Sequence, residues 1–90
     1  MPYIRQVDRE KYAETLDALL NLLDGVPKEK KYGHINFCVT YLLKYLTYEK
    51  QTTYDDYNSI IGVLECIKQE FYRKLISVYE DVKEKENGGI

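Results

Sequence analysis

The sequence predicts an all-α domain of three helices, the last one long and bent or split. Three observations carry this. Apolar residues recur with the helical period in three segments, no segment alternates apolar and polar residues as a half-buried strand would, and only two prolines and five glycines punctuate ninety residues. A composition 44% hydrophobic and 31% charged belongs to folded chains rather than disordered ones.

The elements follow in chain order as one domain over residues 1–90. Asp8 is a natural N-cap, and Tyr12, Leu16, Leu19, Leu20 and Leu23 follow at the spacing of a single apolar stripe until Gly25 and Pro27 end the run, which places helix one at about 9–24. Helix two is expected at about 33–48. It repeats Ile35, Cys38, Val39, Leu42 and Leu46 on one side, while Phe37, Tyr41 and Tyr45 widen the apolar arc. Thr53 then opens "TYDD", an acidic variant of the capping box with Asp56, and starts helix three at about 54–86, which Asn87, Gly88 and Gly89 close. At 1.5 Å per residue that helix would run roughly 45 to 50 Å, longer than a ninety-residue globule is wide. Either it bends near Ser77 or its far end projects towards another chain.

Turning about 100° per residue, Tyr57, Ile60, Ile61, Leu64, Ile67, Phe71, Leu75, Val78 and Val82 fall on one arc of helix three, the expected core face. A second arc holds Asn58, Gly62, Glu65, Cys66, Gln69, Tyr72, Arg73, Ile76, Tyr79 and Glu80. Only a narrow strip with Ser59, Glu70, Lys74, Ser77 and Asp81 is plainly wet. A surface helix of a three-helix domain has a wider polar back than this, so the second arc is expected to be covered as well. Gly62 and Cys66 are small enough for another backbone to approach, and tyrosine and arginine are enriched at interfaces because each joins a large apolar body to a polar tip. Homodimerisation along the second arc is the leading expectation.

Several functional classes are excluded or weakened. Thirteen basic against fifteen acidic residues give a net charge of −2, whereas duplex nucleic acid is bound through a basic excess. Lys28, Lys30 and Lys31, with Glu29 among them, read as a solvated turn. No apolar run is long enough for a membrane span or signal peptide, and Cys38 and Cys66 read as buried free thiols of a cytoplasmic protein. His34, Cys38 and Cys66 are one ligand short of a zinc site, so no metal or other cofactor is expected.

Small all-α nucleoside triphosphate pyrophosphatases hold magnesium with Glu-x-x-Glu and Glu-x-x-Asp pairs. Here only Glu14 and Asp17 form such a spacing, and they read as an exposed pair on helix one. Ten tyrosines without the basic groove that single strands require read as core edges and contacts, with Tyr12, Tyr45 and Tyr57 in the core and Tyr72 and Tyr79 kept for contact. His34 and Asn36 stand at the expected start of helix two, where local capping is a duller reading than an anion site.

The stretches "MPYI", Gly33 and Asn36, "YNSIIGVLECIKQEFYRK" and "YEDVKEKENG" together make the chain resemble a family of small uncharacterised proteins from prokaryotes and their viruses. The resemblance implies a fold expectation and a set of marked residues, Asn36, Asn58, Glu65, Glu70, Tyr72, Arg73, Tyr79, Glu80 and Asp81, but no activity. Lys74 stands where an arginine is usual, Gly89 where an aspartate follows the Asn-Gly, and Val78 where a proline is common. A proline there would bend or end a helix close to Ser77.

The sequence is therefore expected to encode a non-enzymatic homodimeric interaction or accessory module that serves a protein partner. The alternative is a binding domain or weakly marked enzyme for a small anionic or nucleotide ligand, with Asn36, Asn58, Glu65, Tyr72, Arg73, Tyr79 and Glu80 as the contact candidates. What lies against Arg73 separates the two, since a carboxylate of a protein chain favours the structural reading.

Overall fold

The computed structural model describes residues 3–47 and 51–90. Among these residues there are helices and no strand: α1 spans Gln6–Asp24, α2 Lys28–Thr47, α3 Tyr54–Phe71 and α4 Ser77–Asn87, with a π turn at Tyr72–Ile76 between the last two. Joined through that turn, α3 and α4 form one third helix of 34 residues. The chain divides into two units, Tyr3–Thr52 and Thr53–Ile90. Tyr48, expected to close helix two, and Met1 and Pro2 of "MPYI" lie outside the described residues.

The first unit is an αα-hairpin. α1 begins three residues before the expected start, because Arg5, in extended conformation with φ −62° and ψ 148°, is the residue that precedes it. Asp8 is not the N-cap. It sits in the first turn, where a carboxylate suits the positive end of the helix, and takes a 3.1 Å bond from Nε of Arg5. α1 ends at Asp24, and Gly25 continues in a right-handed conformation, φ −77°, with its N–H reaching back to the carbonyls of Asn21 and Leu23.

α2 starts at Lys28 rather than near Gly33. The carbonyl of Pro27 accepts the N–H groups of Lys30 at 2.9 Å and Lys31 at 3.0 Å, so the proline that ends one helix opens the next. The ammonium of Lys31 folds back 3.3 Å from the carbonyl of Asp24, where a cation suits the negative end of α1. Gly33 lies inside α2, and a Cβ there would meet open space, so it marks no boundary. His34 and Asn36 consequently stand well inside the helix, away from the exposed N–H groups that favour an anion.

None of the described residues is buried. Leu19 and Leu23 of α1 and Cys38 and Leu43 of α2 are half-buried, whereas Leu16, Leu20, Leu42 and Leu46 remain exposed. Tyr12, Tyr45 and Tyr57, expected in the core, are likewise about half exposed. Two helices share only one line of contact, and the apolar stripes here are wider than that line. Cys66, expected as a buried thiol, is exposed, while Cys38 is half-buried.

Among the described residues the only element of the second unit is the third helix. Its start matches the expected capping box: the N–H of Asp56 donates to Oγ1 of Thr53 at 3.2 Å, and the N–H of Thr53 donates to Oδ2 of Asp56 at 2.9 Å. The bond from the Thr53 backbone, and after it one from the Thr53 side chain, hold the Asp56 carboxyl below its ordinary pKa. At the far end Gly88, at φ 84°, occupies a backbone region that favours glycine and donates its N–H to the carbonyl of Glu84 at 2.8 Å.

Candidate interaction face of the third helix

A π turn lies next to Ser77, where a bend is one of the two expectations. The N–H of Ser77 bonds the carbonyl of Tyr72, five residues back, and the N–H of Tyr72 is shared between the carbonyls of Lys68 and Gln69. One residue more than a regular turn is accommodated, so everything beyond is set back by about 100° relative to a uniform helix. A single arc from Tyr57 to Val82 therefore does not exist.

The consequence is visible at Tyr72. Residues eight apart across the turn align as residues seven apart do elsewhere, and Oη of Tyr72 donates to Oε1 of Glu80 at 2.5 Å. The bond to the carboxylate, helped by its charge, raises the Tyr72 hydroxyl above the ordinary tyrosine pKa. Asn58, Glu65 and Tyr72 recur every seven residues and form one stripe, which Glu80 rather than Tyr79 continues.

Of the other predicted contact residues on this helix, Arg73, Glu65 and Tyr79 have partners within it. Nη2 of Arg73 lies 2.6 Å from Oε1 of Glu70, and its Nε donates to the second carboxylate oxygen at 3.4 Å. Glu70 belongs to the strip that reads as wet, yet it is the half-buried partner of this pair. Glu65 accepts from Nζ of Lys68 at 3.0 Å and from Nε2 of Gln69 at 3.3 Å, and these bonds, led by that of Lys68, lower its carboxyl pKa. Nζ of Lys83 stands 5.7 Å from the ring centroid of Tyr79. Asn36 belongs to the hairpin unit, where its Oδ1 accepts from the hydroxyl of Thr40 at 3.1 Å.

The apolar side of the helix also follows a different line from the one that uniform periodicity gives. Tyr57, Ile61, Leu64 and Phe71 keep their alignment through α3, with Lys68 among them. Past the π turn the set-back brings Ile76 and Tyr79 into that line, rotates Val82 onto a flank and carries Val78 round to the side opposite the line. Leu64 and Ile76 are half-buried, while Ile61, Phe71 and Tyr79 are 65%, 56% and 62% exposed. Among the described residues no second element of this unit covers them.

Exposed aromatic surface is also present on the hairpin. Phe37, Tyr41 and Tyr45 follow one another along α2 as tilted rings with centroids 5.8 Å and 4.6 Å apart, and Nζ of Lys44 lies 5.3 Å from the centroid of the Tyr45 ring. Beside them an open pocket of about 210 Å³ is lined by Leu19, Phe37, Cys38, Tyr41 and Leu42. Among the described residues no three His, Cys, Asp or Glu side chains gather as metal ligands would, and no helix is long and apolar enough to cross a membrane.

Compared with known proteins, the whole chain, residues 1–90, matches the family model described as "Domain of unknown function (DUF6899)". The chain belongs to this family. No curated protein and no solved structure matches it. Membership of the DUF6899 family accords with the resemblance to small uncharacterised proteins and assigns no chemistry to the face described above.

Proposed function

We propose that the chain is a non-enzymatic interaction module that works as a homodimer, the third helix pairing with that of a second copy. The observation that carries this reading is the exposed apolar line on a helix that, among the described residues, has no second element in its own unit. Helix stability in proteins comes mostly from packing an apolar face, so a rod of this kind gains most from a partner. Contiguous exposed apolar surface is also the mark of an association site.

The pairing surface proposed is the apolar line through Leu64 and Phe71 rather than the second arc. Along that arc Glu65, Tyr72, Arg73 and Glu80 already hold partners on their own helix, so their tips do not demand a protein neighbour. The same bonds weigh against a site for an anion or nucleotide, whose recognition needs polar groups free to converge on it. The exposed Cys66 thiol fits a reducing compartment such as the cytoplasm.

Light scattering on eluting full-length protein tests the proposal. The chain should elute with the mass of two copies, and Phe71→Glu should halve that mass by placing a charge in the line, while Ser59→Glu on the opposite side leaves it unchanged. A monomeric mass for the unmodified chain would sink the reading.

A further inference from the structure

We infer that the two third helices pair antiparallel, in a register centred between Lys68 and Phe71, so that each lysine in the contact line meets an aromatic ring of the second copy. This rests on the self-association proposed above and adds its direction and register.

Spacing along the helix is the first ground. The line runs Tyr57, Ile61, Leu64, Lys68 and Phe71 in steps of four, three, four and three, which is the alternation of a coiled-coil seam. Beyond Phe71 the π turn inserts one residue, and the line continues at Ile76, Tyr79 and Lys83. Counted outward from the midpoint of Lys68 and Phe71, the two halves have the same steps apart from that inserted residue. A seam of this kind can be laid on a reversed copy of itself.

Charge is the second ground. A parallel pair in register would set Lys68 against Lys68 and Lys83 against Lys83, two like-charge contacts inside an otherwise apolar seam. Reversing one copy sets Lys68 opposite Phe71 and Lys83 opposite Tyr57, where an ammonium over a ring face is attractive. The apolar members still meet, Leu64 with Ile76 and Ile61 with Tyr79. Glu65, 3.0 Å from Lys68, remains beside that ammonium at the rim. Without the π turn, Val82 would stand at the end of the seam in place of Lys83, and Val78 in place of Tyr79, so the turn is what supplies the charged and aromatic members of this match.

Disulfide trapping in the full chain tests the direction. Cys38 and Cys66 are replaced by alanine, and two preparations carrying Leu64→Cys and Ile76→Cys, with tags of different size, are mixed, equilibrated and oxidised. The mixed disulfide should exceed both homodisulfides by roughly tenfold or more, because a held pair raises the effective concentration only of residues that face each other. A predominant Leu64→Cys homodisulfide would mean parallel pairing and overturn the inference. Absence of any disulfide in a sample that sediments as a dimer would place the contact elsewhere, overturning the register while leaving self-association intact. A sample in which the unsubstituted chain sediments as a monomer would overturn both.

Discussion

Tyr72 spans the π turn with one hydroxyl, and its ionisation reports whether that bond exists in solution. Its pKa is raised from the ordinary 10.0 because the neutral form donates to Glu80. Its contribution to stability is therefore present below that value and lost as pH rises through the higher folded value. Subtracting the tyrosinate titration of Tyr72→Phe from that of the parent should isolate one late-ionising tyrosine, which Glu80→Gln returns to the ordinary range. Coincidence with the other tyrosines would refute the bond. Asp56 behaves oppositely: its lowered pKa makes its contribution present above the ordinary carboxylate range and lost on acidification. Thr53→Ala, which removes the side-chain half of the box, should cost about 1 kcal/mol in denaturant unfolding. Gly62 discriminates between the two faces of the helix. A Cβ there meets nothing within 4 Å, and the residue lies off the proposed seam, so Gly62→Ala should stabilise the protein by about 0.5–1 kcal/mol. Destabilisation would restore the second arc as the contact.

At the scale of the element, the π turn is equivalent to one surplus residue in an otherwise regular helix. Deleting Lys74 should close it to a regular turn while keeping Phe71 and Ile76 in line, so helix content by circular dichroism and dimer mass should be maintained. Deleting Val63 instead rotates Tyr57 and Ile61 away by about 100° and should abolish the dimer. Equal effects of the two deletions would contradict the geometry of the turn. Much of this was legible in the sequence: the three helices, the Thr53–Asp56 box and the glycine end follow from local residue chemistry. The π turn was not, because "YRKLI" contains no proline or glycine, and a uniform helix already puts Tyr72 and Glu80, eight apart, on one arc, so their pairing signals no extra residue. Helix two starts earlier than its pattern suggests because Gly33 reads as a boundary, whereas Pro27 acts as one. Periodicity likewise identifies which side chains seek cover but not what supplies it, which is why Tyr12, Tyr45 and Tyr57 read as core and are about half exposed.

At the scale of the molecule, a hairpin with a single contact line and a helix with no second layer each leave apolar surface exposed, with no described residue buried. A small chain gains little from its own interior, and the proposed pairing with a second copy would add burial that neither unit has by itself. The central claim is that this burial lies between chains, and thermal unfolding across a dilution series measures it most directly. If folding is coupled to pairing, the midpoint Tm should fall by at least about five degrees over a hundredfold dilution, since mass action links stability to chain concentration. A Tm independent of concentration would place the stabilising contacts within one chain and contradict the account.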